Sequence, residues 1–167
     1  MPDLPLAAVC VLLLCYLPPA TVLAIIDAQQ HRLPNRWVGV LSGTVLLGVL
    51  LVAVQDPALW PVVRTGLVLA AVAGIAAVLI ALAAPGLIGM GDAKTLPAVV
   101  LMAAVLGGEV LVGSLLAIAV LGGLLGTVVL LVTRRAGARF AFGPVLLSGP
   151  FLGILAAPLV AQALGTS

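Results

Sequence analysis

The sequence predicts an all-α, polytopic membrane protein with six transmembrane helices, the fourth of them short, and with both termini extracytoplasmic. Three observations carry this. Hydrophobic residues make up 64% of the 167 and charged residues 7%, against roughly 45–50% and about 25% in a soluble domain. Long apolar runs alternate with short breaks rich in Pro, Gly, Asn, Asp and Arg, as connections are. The basic residues collect on every second break. Seven basic and five acidic residues, with a mean hydropathy of +1.41, cannot dress a soluble surface. A soluble enzyme, a disordered chain and a nucleic-acid binder are thereby excluded. The chain reads as one domain over residues 1–167, in contact with the lipid bilayer.

A helix needs about 20 apolar residues to cross the hydrocarbon core. The first span runs from Leu4 to Ile26, with Pro18 and Pro19 placed to kink it. No Lys or Arg precedes it, unlike a secretory signal, so it reads as a retained span. The second runs from Trp37 to Val54 and the third from Thr65 to Ala84. The fourth apolar stretch, Thr95 to Leu106, reaches only about 18 Å at about 1.5 Å per residue. Either its helix starts upstream, near Gly91 and Asp92, or the segment is re-entrant. Pro97 then falls in the first turn of that earlier helix or kinks it. The fifth span runs from Val110 to Thr133, where Gly122 and Gly126 form a GxxxG that reads as a packing face. The sixth runs from Val145 to Leu164.

Orientation follows from Lys and Arg. Arg32 and Arg36 follow the first span, Lys94 follows the third, and Arg134, Arg135 and Arg139 follow the fifth. The other side holds Asp3, Asp56 and Glu109, with Arg64 its one basic residue. The basic side should be cytoplasmic. Those arginines read as topology determinants and headgroup contacts, or as contacts to an acidic feature of a substrate. Cys10 and Cys15 form no CxxC pair and read as small apolar residues. His31, the single histidine, has no second ligand in sight, and neither metal nor cofactor is expected.

Asp27 and Asp92 remain, and both lie on the basic side. Carboxylates at the edge of the hydrocarbon are costly and tend to be functional. The plain alternative is local ion pairing, Asp27 with Arg32 and Asp92 with Lys94. Around them, Pro34 stops the preceding segment, Asn35 is a candidate cap for the second helix, and Gly89 and Gly91 permit close backbone approach.

These residues fall into three motifs. Asp27 is followed by Arg32-Leu33-Pro34-Asn35. Two spans later comes Gly89-Met90-Gly91-Asp92-Ala93-Lys94. After the fifth span comes Phe142-Gly143-Pro144-Val145-Leu146-Leu147-Ser148-Gly149. In order and spacing, from Leu4 onward, they resemble the type IV prepilin peptidases, aspartic peptidases of the GxGD class in the bacterial inner membrane. The two CxxC pairs and the N-methyltransferase insert of the larger members are missing, so the chain looks like the short, peptidase-only form found with tight-adherence (Flp-type) pili.

The resemblance implies a multi-pass enzyme of the bacterial cytoplasmic membrane, its active site facing the cytoplasm. It would remove the short leader of a prepilin-like partner. Asp27 and Asp92 would be catalytic, with Gly89, Gly91, Lys94, Pro34, Asn35, Gly143 and Pro144 shaping the site. No metal is required. Two close carboxylates share one proton, one activating water and the other hydrogen-bonding the scissile carbonyl. Asp27 ends one helix and Asp92 opens another, and the helix dipoles suggest Asp27 as acid and Asp92 as base. The Phe142-Gly143-Pro144 segment either starts the sixth helix or lines the cleft. Rival classes are a small transporter, a non-enzymatic assembly scaffold, or a presenilin-type intramembrane protease. Almost no polar residue lies in mid-span, which disfavours a transporter.

Overall fold

The computed structural model describes residues 5–84, 88–134 and 141–165. Asp3, Leu4, Arg135 and Arg139, named above, lie outside these. All regular structure among the described residues is helical. We number the long helices α1 (Leu6–Gln30), α2 (Asn35–Gln55), α3 (Trp60–Ala83), α4 (Met90–Leu106), α5 (Gly108–Thr133) and α6 (Gly143–Leu164). A 3-10 turn, Pro57–Leu59, leads into α3, and the Asp56 side chain caps it through the Ala58 N–H. All except α4 are long and apolar enough to cross a membrane.

Several helices begin before the apolar run that announces them. α2 starts at Asn35, α3 at Trp60, α4 at Met90 and α6 at Gly143. Hydropathy misses these starts because a first turn tolerates polar residues and glycine, its N–H groups having no partner inside the helix.

The short α4 is the centre of the molecule. It has 17 residues, about 25 Å at 1.5 Å each. Every residue from Ala98 to Leu106 is buried, walled by α2, α3, α5 and α6. It is not a re-entrant hairpin. Its first turn meets Leu33 of the α1–α2 connection, its middle meets Gly74 of α3, and its last turns meet Gly66 near the start of α3. It therefore runs antiparallel to α3 from one end of the bundle to the other. Pro97 lies inside it rather than in its first turn, and the ring fills the notch left by Gly74, where a Cβ would stand 2.5 Å from Pro97 Cγ. Gly107 alone joins α4 to α5, at φ 144° and ψ 159°, a conformation open essentially only to glycine.

The α5–α6 crossing is built on a pair that the sequence did not single out. A Cβ on Gly153 would collide with the Ser114 hydroxyl and the Val110 carbonyl, and one on Gly113 would lie 3.0 Å from Ala156 Cβ. Gly122 of the GxxxG does a different job: it makes room for the Phe142 ring, 2.5 Å from a Cβ built there.

Prolines inside apolar helices leave carbonyls without their usual N–H. Pro19 has none to return to Cys15, and the Thr44 hydroxyl of α2 lies 2.8 Å from the Cys15 carbonyl. A π-helical turn, Leu12–Tyr16, stands just ahead. In α6, beside Pro150, the fully buried Tyr16 hydroxyl donates to the Leu147 carbonyl at 2.8 Å. Tyr16 also packs against Phe151, with ring centroids 6.1 Å apart and the ring planes tilted by 56°.

Candidate active site

Asp27 lies one turn before the end of α1 and is 5% exposed. Its carboxylate accepts the Gly143 N–H at 2.8 Å. Gly143 is the first residue of α6, so that N–H is one a helix cannot satisfy internally, and an anion is its natural partner. A side chain does not fit there: a Cβ on Gly143 would stand 2.7 Å from Asp27 Oδ2. Pro144 follows in the first turn, where its missing N–H costs nothing. The Phe142-Gly143-Pro144 segment thus both starts α6 and faces the aspartate.

Asp92 is half-buried in the first turn of α4. Its carboxylate accepts a hydrogen bond from the Gly89 backbone and lies in the field of the Asp27 carboxylate. Reaching back from the third helical residue to the cap residue is half of a capping box. A Cβ on Gly89 would lie 2.9 Å from Asp92 Oδ2, so the approach again needs glycine.

The α1–α2 connection closes the group. Leu33 covers Gly91, where a Cβ would come within 2.9 Å of Leu33 Cβ. Lys94 Nζ donates to Asn35 Oδ1 at 3.2 Å. Asn35 is therefore not the cap of α2. Pro34 holds the cap position, at φ −65° and ψ 130°, and its carbonyl receives the Trp37 and Val38 N–H groups. Asn35 is already helical, and its amide faces α4. The local ion pairs considered from spacing give way to these contacts. Lys94 reaches Asn35, Asp27 takes a backbone N–H, and Arg32 is exposed.

Three segments far apart in sequence thus meet at one end of the bundle. The structure brings together Asp27, Asp92, Gly89, Gly91, Lys94, Asn35 and Gly143, with Pro34 and Pro144 starting the helices on either side. Arg36 and Arg134 lie exposed. Among the described residues no three His, Cys, Asp or Glu side chains converge. The chemistry on offer is that of two carboxylates. The geometry removes the ground for dividing their roles by helix dipole. Asp27 ends α1, but it also faces the amino end of α6, so each aspartate meets a helix N-terminus. Sequence reasoning missed Tyr16, Gly74 and Gly153, whose importance lies in partners on other helices.

No protein-family model, no curated protein and no solved structure matches the chain.

Proposed function

We propose that the chain is an aspartic endopeptidase of the bacterial cytoplasmic membrane that removes the leader of a type IV prepilin-like substrate, with Asp27 and Asp92 as the catalytic pair. The observation that supports this best is the convergence of the three motif segments at one end of the bundle, with Asp27 bonded to the first residue of α6, Asp92 in the first turn of α4 and Lys94 bonded to Asn35. In this reading all six helices cross the bilayer, both termini are extracytoplasmic and the site faces the cytoplasm, where the basic residues gather.

In this reading one carboxylate works ionised and the other protonated, as the paired aspartates of aspartic peptidases do. The ionised one takes a proton from water as the water attacks the scissile carbonyl carbon. The protonated one hydrogen-bonds the carbonyl oxygen and stabilises the developing oxyanion. Collapse of the tetrahedral intermediate returns a proton to the leaving amine, and the pair is restored. No covalent enzyme intermediate forms.

A second reading, an assembly scaffold, draws on the same contacts: Asp27 ties α1 to α6 and Asp92 caps α4. Substitution by asparagine separates the two. Asn at position 27 still accepts the Gly143 N–H through its Oδ1 but cannot ionise. Co-expression with an Flp-type prepilin, followed by gel shift and mass spectrometry of the leader, gives the test. Wild type should cleave, while Asp27→Asn and Asp92→Asn should reach the membrane in normal amount and leave the leader on. Cleavage surviving both changes overturns the assignment.

A further inference from the structure

We infer that Leu33 is a positioning residue for Asp92: seated on Gly91, it holds the turn of α4 that carries the carboxylate, a role that rests on the peptidase reading above.

That turn needs holding. α4 opens on Gly89-Met90-Gly91-Asp92, with Gly89 as its cap residue. Glycine is a poor helix former, and the first N–H groups of a helix have no partner inside it. The Ala93 N–H, bonded to the Gly89 carbonyl at 3.0 Å, joins the cap to the helix. A turn with two glycines frays easily on its own, and Asp92 would swing with it.

Two contacts grip it from nearly opposite faces. Residues 91 and 93 lie about 200° apart around a helix of 3.6 residues per turn. Ala93 is fully buried and clusters with Ala77 and Ala81 of α3. On the other face lies Leu33, with its Cβ 2.9 Å and its Cδ1 3.5 Å from a Cβ built on Gly91. Asp92 stands between, so it can rotate only if one of these contacts opens. Two residues on, Lys94 bonds Asn35. The connection from α1 to α2 thus touches α4 on both sides of Asp92 in sequence. The same connection begins at the other aspartate. The His31 N–H bonds the Asp27 carbonyl at 2.8 Å, and His31 turns the chain off α1 in a left-handed conformation, φ 52°. Pro34 stiffens the far end. Leu33 brings neither charge nor hydrogen bond by its side chain. It acts by shape, through Asp92.

Steady-state cleavage of an Flp-type prepilin in detergent, beside hydrogen exchange at Ala93, gives the test. Leu33→Ala should lower kcat about 10-fold, with KM and unfolding temperature close to wild type. Leu33→Met, which refills the space, should restore most of the rate. Gly91→Ala should lose about 10²-fold, although alanine is the better helix former. Leu33→Gly/Gly91→Ala moves the methyl group to the other side of the contact and should recover about 10-fold of that loss. A Gly91→Ala enzyme as fast as wild type overturns the inference. So does a double variant no faster than Gly91→Ala, or a Leu33→Ala effect confined to KM or to unfolding temperature. The exchange measurement does not depend on cleavage. In Leu33→Ala the Ala93 N–H should exchange about 10-fold faster or more, while Ala98 to Leu106 keep wild-type protection. Unchanged exchange at Ala93 overturns the inference. A wild type that cleaves no prepilin overturns the peptidase reading instead, and exchange at Ala93 then decides whether Leu33 holds the turn.

Discussion

At the scale of single residues, the site depends on places where nothing larger than hydrogen fits. Gly143 is the sharpest case. Alanine is the better helix former, yet a Cβ at Gly143 would press on Asp27 Oδ2 at 2.7 Å and on Asp27 Cβ at 3.1 Å. Gly143→Ala should therefore displace Asp27 and cut leader cleavage by about 10²-fold or more, while costing about 1–3 kcal/mol of stability. Cleavage rate and thermal unfolding in detergent, read together, check both. Removing either carboxyl by Asp→Asn should cost about 10²–10⁴-fold in rate, the usual worth of an acid or base, with unfolding temperature little changed for Asp27→Asn because the Gly143 N–H keeps an acceptor. The acidic residues and their glycines were legible in the sequence as motif positions. The bond from Gly143 to Asp27 was not, because it links residues 116 apart.

At the scale of elements, helices were easy to find and their crossings were not. Apolar runs locate α1 to α6, since a lipid-facing helix must be apolar along its length. Where two helices touch depends on small residues in register, and register is invisible along one strand of sequence. The GxxxG at Gly122 pointed to a helix crossing, but the ring of Phe142 occupies that notch, and the backbone contact lies at Gly113 and Gly153. Gly74→Ala should destabilise by about 1–3 kcal/mol through its clash with Pro97. Gly39→Ala, where nothing lies within 4 Å, should be neutral or stabilising by about 0.5 kcal/mol. Unfolding temperatures of the two variants side by side make the comparison. Tyr16→Phe should cost about 1 kcal/mol by leaving the Leu147 carbonyl without its hydroxyl partner. Restoring wild-type stability by a change elsewhere on α1 would argue against that bond as the cause.

At the scale of the whole molecule, the design is a short buried helix ringed by longer ones. Because α4 is shielded by its neighbours, it need not match the full hydrocarbon thickness. Six passages through the bundle predict both chain ends on the same side. Alkaline phosphatase fused after Gly165 should be active in the periplasm, and a fusion after Arg134 should be inactive. Activity at Arg134 would invert the proposed orientation.

The sequence by itself determined the class, the number of long helices, the clustering of basic residues and the two aspartates that stand out beside them. It could do so because each of these is a property of composition or of position along the chain: apolar length measures a helix, and a carboxylate in an apolar setting is conspicuous wherever it folds. Only the tertiary structure decided that Asp27 takes the Gly143 N–H, that Asn35 turns to Lys94 rather than capping α2, and that Pro97 sits mid-helix against Gly74. Those outcomes come from close packing between segments distant in sequence. There the shape of one surface selects the partner on another, and neither half of the pair carries the information alone.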